Sequence, residues 1–176
     1  ELQWMAQLVN DMLYLAKADH GLLMPKREPL DLAEEADVLL EFFAPLAEDA
    51  RVKLSRDGHA SMQGDRSMLR RALSNLLDNA LRFTPAGGEV RVKIVEQPAG
   101  LSLTVENSGE GISEDLVPRL FDRFYRADPA RREGSSEHAG LGLAITQSII
   151  RAHGGQIRCE SAQGWTRFII ELPRKD

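Results

Sequence analysis

Four alternating segments constrain the fold of this chain more than any other feature. Residues 89–95 and 101–105 alternate apolar with polar positions and are joined by Gln97-Pro98-Ala99-Gly100. Residues 156–161 and 166–172 repeat the pattern around Gly164. Period-two alternation puts one face of a strand on a core, and turn residues between two such runs make a hairpin. Helical periodicity precedes and separates the hairpins. Helices combined with antiparallel pairs predict an α+β fold: a two-layer sandwich of one mixed sheet with helices on one face.

The helical stretches can be placed from their apolar spacing. Leu2, Met5, Leu8, Val9, Met12, Leu13, Leu15 and Ala16 form a first stripe, which stops near His20-Gly21 with Pro25 beyond. One helix cannot bury such a stripe alone. It reads as part of a helical bundle completed by residues outside this chain or by a second chain. Residues 1–24 are therefore assigned to the end of a bundle helix and 25–176 to a separate domain. Pro29-Leu30-Asp31-Leu32 predicts a short strand running into a helix that ends near Asp49, and 52–55 a second short strand. Asp65 is placed to cap a long helix reaching Phe83, closed by Thr84-Pro85-Ala86-Gly87-Gly88. Residues 128–139 are polar and charged and read as a mobile loop. A last helix spans 141–152 and closes at Gly154-Gly155.

Bulk properties exclude several function classes. Net charge is −5 with a pI near 5.5, so the chain has no general attraction for nucleic acid or an anionic membrane. Any phosphate must be held by local geometry. The single cysteine, Cys159, excludes an internal disulfide and sits in an alternating segment, as a half-buried strand thiol would. No apolar run is long enough to span a bilayer, which predicts no direct membrane contact by this segment. The start at Glu1-Leu2-Gln3-Trp4, within a periodic pattern, reads as part of a longer protein. No His/Cys/Asp cluster has zinc spacing.

Three segments carry candidate chemistry. In Asn75-Leu76-Leu77-Asp78-Asn79-Ala80-Leu81-Arg82-Phe83-Thr84, the positions Asn75, Asn79 and Arg82 share one stripe away from the apolar face. Two amide oxygens and a guanidinium suit a Mg²⁺-bound triphosphate, although a solvated polar face is the plainer reading of one helix. Glu106-Asn107-Ser108-Gly109-Glu110-Gly111-Ile112 follows a strand, where glycines let backbone approach a flat ligand and Asn107 can address a base edge. Gly140-Leu141-Gly142-Leu143-Ala144-Ile145 opens a helix, whose free N–H groups suit an anion. It is neither a P-loop nor a dinucleotide fingerprint. Each segment singly is more often turn or packing than ligand site.

Taken together, their order and spacing resemble the catalytic domain of sensor histidine kinases of two-component systems, which has the Bergerat ATP-binding fold. Residues 75–84 resemble the N box, 107–111 the G1 box and 140–143 the G2 box. Leu120-Phe121-Asp122-Arg123-Phe124-Tyr125-Arg126 resembles the F box, the most specific signal. With Pro118-Arg119 before it, this stretch is similar to the heavy-metal-sensing branch. The resemblance spans about 25–173. The leading helix, with Leu13-Tyr14-Leu15-Ala16-Lys17-Ala18-Asp19, resembles the second helix of the dimerisation and phosphotransfer bundle.

The resemblance implies ATP and Mg²⁺ as cofactors. Asn75 and Asn79 would hold Mg²⁺ and phosphates, with Arg82 adding charge, as the catalytic set. Phe83, Asn107, Gly109, Gly111, Ile112, Phe121, Arg123, Phe124, Arg126, Gly140, Leu141, Gly142 and Leu143 would complete the nucleotide site. In related ATPases of this fold the position of Asn75 is a glutamate that activates water. An amide accepts no proton at neutral pH, so ATP should be bound and hydrolysed slowly, its γ-phosphoryl kept for a histidine. None of His20, His59, His138 and His153 has the family's acceptor surroundings, so that histidine lies on a bundle helix absent from this chain. His153, at a helix C-terminus, suits a cation. The resemblance further implies a response regulator receiver domain as partner, homodimerisation through the bundle, and a cytoplasmic portion of an inner-membrane protein. The sequence departs from the family at Asn107, where aspartate is usual, and in the lid, where His138 and Ala139 replace glycine-containing positions. Arg131 and Arg132 also lie there. A degenerate nucleotide-binding or partner-interaction module, or another ATPase of the same fold, are the alternatives.

Overall fold

The computed structural model describes residues 2–126 and 140–174. Asp65 caps the central helix α3 (Arg66–Phe83) by accepting from the Met68 N–H at 3.0 Å. Met68, Leu69, Ala72, Leu73, Leu76, Leu77 and Ala80 fall on one side of α3 and are all buried. Asp31 caps α2 (Leu32–Ala50) in the same way, accepting from the Ala33 N–H at 2.9 Å. That helix ends at Arg51, in the left-handed region at φ 58°. The last helix, α4 (Gly142–Ala152), buries Ala144, Ile145, Ile149 and Ile150.

Five strands form one mixed sheet. They are β2 (Lys53–Asp57), β4 (Glu89–Gln97), β5 (Gly100–Ser108), β6 (Gln156–Ala162) and β7 (Trp165–Pro173), in the order β2-β4-β5-β7-β6. β2 runs parallel to β4, and the other pairs are antiparallel. Both expected hairpins form, longer than the alternation alone predicted. Val90, Val92, Ile94, Leu101, Leu103, Val105, Phe168, Ile170 and Leu172 point inward and are buried in one core with the apolar sides of α2, α3 and α4. The other face carries the alternate polar residues.

One element was invisible in the sequence. β3 (Ser61–Gly64) pairs antiparallel with β1 (Glu28–Asp31) as a separate two-stranded ribbon. The stretch Ser-Met-Gln-Gly has no β-branched residue and little alternation, so only its partner makes it a strand.

The leading helix α1 (Leu2–Asp19) docks on α4. Leu15 enters the common core, Asp11 pairs with Arg71 at 2.8 Å, and Arg71 lies over the Tyr14 ring. Leu2, Met5, Val9, Met12 and Leu13 stay exposed. Among the described residues no helix is long and apolar enough to cross a membrane.

His153 corrects the sequence reading. Rather than a cation at an open helix end, the ring is buried. The Asp65 N–H donates to Nε2 at 3.0 Å, so Nδ1–H faces the Ile149 carbonyl at 2.8 Å. The ring is a neutral strut between the ends of two helices. Cys159 is a half-buried strand thiol as expected, and burial pushes its pKa up to about 12, so no thiolate forms at neutral pH.

Candidate nucleotide site

Tertiary contacts bring the expected segments together around one side of α3. At its middle, Asn75 Nδ2 donates to the carbonyl of Gly142 at 3.2 Å, joining α3 to the start of α4. A Cβ on Gly142 would stand 3.7 Å from Asn75 Cγ, an ordinary contact, so the entry of α4 packs directly on the Asn75 side chain. At the end of α3, Gly109 sits against Phe83 and Pro85, where a Cβ would lie 3.3 Å from Pro85 Cδ and 3.5 Å from the Phe83 carbonyl. The turn after β5 thus borders the end of the same helix. The Phe124 N–H donates to the Gly140 carbonyl at 3.1 Å, tying the Phe-Asp-Arg-Phe stretch to the entry of α4.

Charge is arranged for an anion. Asn75 and Asn79 are half-buried and one turn apart. Arg82, one turn beyond, is paired with Asp78 at 3.5 Å and lies over the Phe83 ring. Burial lowers the Arg82 pKa; Asp78 opposes this, and the charge of Arg126 adds to it. Two guanidiniums near enough to repel one another mark a place where a polyanion relieves the repulsion.

Asn107 belongs to the sheet. It lies within β5 rather than in the turn, is buried, and stands between Val90 and Thr166 in the sheet. Thr166 is buried beside it, and its hydroxyl is 3.2 Å from Ser161 Oγ. Ser161 Oγ also accepts from the Ile112 N–H at 2.7 Å, while the Gly109 N–H donates to the Gly164 carbonyl at 3.0 Å. The final hairpin therefore moulds the Gly109–Gly111 turn. Ser161 and Thr166 join the candidate site, and the sequence reading missed them because the signal lies in cross-strand register and not in local spacing. Gly109 (φ 149°) and Gly111 (φ 84°) adopt backbone that side chains rarely take, and a Cβ on Gly111 would meet Ser161 Oγ at 2.6 Å.

The remaining candidates serve differently. Leu141 is fully buried, and Ile112, Phe121 and Leu143 are partly buried against the core, with Phe121 edge-on to Phe168 at 6.1 Å. Their side chains are thus taken up by the core. Arg123 pairs with Asp19 of α1 at 2.6 Å, which points it to that helix. Phe124 is exposed at φ 63°. The expected lid, with Arg131, Arg132, His138 and Ala139, lies outside the described residues. A groove of about 470 Å³ lined by Pro29, Met62 and Gly100 adjoins the start of β5, far along the strand from Asn107, and contains none of the motif residues.

The glycines at the α4 entry make a sharp prediction. A Cβ on Gly140 (φ 79°) would stand 2.9 Å from backbone atoms of Phe124 and Tyr125, whereas one on Gly142 meets only ordinary contacts. Gly140→Ala is expected to cost about 1–3 kcal/mol through backbone strain. Gly142→Ala should stay near neutral or slightly stabilise. Thermal unfolding of the two variants would rank them, and equal shifts would contradict the placement.

Comparison with known proteins agrees with this geometry. Residues 64–176 match the family described as histidine kinase-, DNA gyrase B-, and HSP90-like ATPase. The chain is 48% identical over 174 residues to the sensor histidine kinase CusS of Escherichia coli O6:H1, covering 98% of this chain and 36% of CusS. It thus spans about a third of the length of that relative. Among solved structures, full-length ShkA in complex with AMPPNP superposes with a TM-score of 0.83 at 26% identity, covering 96% of this chain and 35% of ShkA. The solved chain of the mycobacterial sensor histidine kinase MprB has a TM-score of 0.71 at 32% identity, covering 85% of this chain and 99% of that solved chain. A sheet backed by three helices, with Asn75 of α3 facing the glycine-rich entry of α4 and this match over 64–176, places the chain in the histidine kinase-, DNA gyrase B- and HSP90-like ATPase family.

Proposed function

We propose that residues 25–176 bind Mg²⁺-ATP and transfer its γ-phosphoryl to a histidine on a bundle helix outside this chain, for relay to a response regulator receiver domain. Residues 1–24 would be the end of the bundle's second helix. The longer protein would dimerise through that bundle, with this part on the cytoplasmic side of an inner membrane. The similarity of 118–126 to the heavy-metal-sensing branch makes a metal-responsive sensor the assignment we favour.

The junction of Asn75 with Gly142 carries the reading. It seats the –NH₂ of the Asn75 carboxamide on the glycine-rich entry of α4, and Arg82 follows further along the same helix with the charge of Arg126 acting on it. Asn75 Oδ1 has no donor among the described residues. A neutral amide oxygen left without a donor suits a hard divalent ion, so Asn75 and Asn79 would hold Mg²⁺. When bound, Mg²⁺ supplies charge neutralisation at the phosphates. The protein's own part is to orient the phosphates, with Arg82 and Arg126 offering charge, and to hold adenine against Asn107 and Thr166. Asn107 accepts a hydrogen bond without charge assistance, so adenine is selected at modest affinity. The carboxamide of Asn75 cannot serve as a general base, which disfavours a hydrolytic ATPase of the same fold.

Calorimetric titration with ADP and ATP, with and without Mg²⁺, tests this. The protein should bind in the micromolar range, and Asn79→Ala should weaken Mg²⁺-nucleotide binding about tenfold, the worth of a hydrogen bond or contact to a charged group. Absence of binding by the unsubstituted protein would leave a degenerate interaction module instead. Steady ATP hydrolysis would revive the alternative ATPase.

A further inference from the structure

We propose that Thr146 is a positioning residue for the metal–phosphate site, its hydroxyl holding the Asn75 carboxamide with the oxygen turned outward. The inference rests on the reading that Asn75 Oδ1 is a ligand. Thr146 stands one turn into α4 and is completely buried. Its Oγ1 donates to the carbonyl of Gly142 at 2.8 Å, a back-bond to the residue four earlier. A hydroxyl has one proton, and this bond uses it. Only lone pairs are left toward Asn75.

Those lone pairs set the polarity of the amide. Asn75 Nδ2 lies 3.2 Å from the Gly142 carbonyl and 3.4 Å from Thr146 Oγ1, so two acceptors face it. Turning the amide over would press Oδ1 against a carbonyl that cannot donate and a hydroxyl that could donate only by giving up its bond to Gly142. The –NH₂ is thereby kept on α4 and Oδ1 on the open side. A carboxamide presents either a donor or an acceptor to a ligand, and a cation accepts only the oxygen. Thr146 therefore acts on the metal through Asn75 without touching the nucleotide. It also couples the glycine-rich entry of α4 to the N-box helix, since one carbonyl serves both side chains.

Thr146→Val keeps the shape and removes the hydroxyl; Thr146→Ser keeps the hydroxyl. Calorimetry on the whole chain with ADP, with and without Mg²⁺, would be run on both, beside Asn75→Ala, with thermal unfolding as a check on folding. Thr146→Val is expected to weaken Mg²⁺-ADP binding about fivefold, the usual worth of one hydrogen bond, and to leave Mg²⁺-free binding within about twofold. Thr146→Ser should restore the Mg²⁺ dependence. The Asn75 side-chain amide signals in ¹⁵N NMR should shift in the Val variant and return in the Ser variant. Equal weakening with and without Mg²⁺ would reduce Thr146 to packing and overturn the proposal. So would a Val variant indistinguishable from the parent while Asn75→Ala loses Mg²⁺ dependence. If Asn75→Ala itself retains full Mg²⁺ dependence, the metal-site reading fails, and this inference with it.

Discussion

Truncating Glu106 to alanine is expected to destabilise the domain by about 3 kcal/mol, at the lower end of the range for removing one partner of a buried ion network. Glu106 is 1% exposed although it lies on the outer face of the sheet. Arg167 Nε donates to Oε2 at 2.8 Å, Lys93 Nζ lies 3.0 Å from Oε1, and Arg91 lies 3.7 Å from it. The register places Arg91 and Arg167 on either side of Glu106 across three strands. Arg91 also lies over the Trp165 ring, with its guanidinium 4.4 Å from the centroid, roofing the carboxylate. Without Glu106 three cations face one another. They are each between 34% and 44% exposed and rehydrate in part, which is why the lower end is expected. Urea unfolding measures the difference, and a loss under 1 kcal/mol would mean the network is merely solvated charge.

The same carboxylate makes a signed pH prediction. Burial alone would raise its pKa, but hydrogen bonds from Lys93 and Arg167, with their charges, outweigh burial and hold it below the ordinary carboxylate value. A carboxylate with a lowered pKa contributes stability that is fully present above the ordinary range and is lost as pH falls through the folded value. The stability gap between the parent and Glu106→Ala should therefore be widest near neutrality and narrow as the solution becomes acid. A gap that widens in acid would contradict the pairing.

Leu76→Ala is the second large effect. Leu76 is fully buried on α3, between that helix and the sheet, with Asn75 as its neighbour in sequence. Large-to-small changes at such sites cost about 2–5 kcal/mol, since the removed methyl groups leave a cavity that close packing cannot fill. About 3 kcal/mol is expected. Below the unfolding transition nucleotide affinity should change by less than about twofold, because the substitution points away from the polar stripe. Saturating Mg²⁺-ADP should recover part of the lost melting temperature by mass action. A large affinity loss in the folded state would show that the core side of α3 also shapes the site.

Much of the fold was legible because its signals are local. Asp31 and Asp65 cap helices that their side chains can reach within three residues, and the inward positions of both hairpins alternate without error. Asn75, Asn79 and Arg82 share a stripe whatever α3 packs against. Other features needed partners far away in sequence. β3 exists only against β1, β2 joins the sheet only by running parallel to β4, and His153 is neutral only because Asp65 donates to it.

The sequence by itself determined the apolar faces of α3, α4 and the hairpins, where the helices begin and stop, and which polar groups were available for chemistry. These follow from periodicity and capping, which act over a few residues. The tertiary structure decided that Asn75 meets Gly142, that Thr166 stands beside Asn107, and that Ser161 holds the Ile112 N–H. It also decided which end of the Asn75 amide faces outward. Those outcomes depend on strand register and on the approach of α4 to α3, which the packing of the whole core sets and no short stretch of chain encodes.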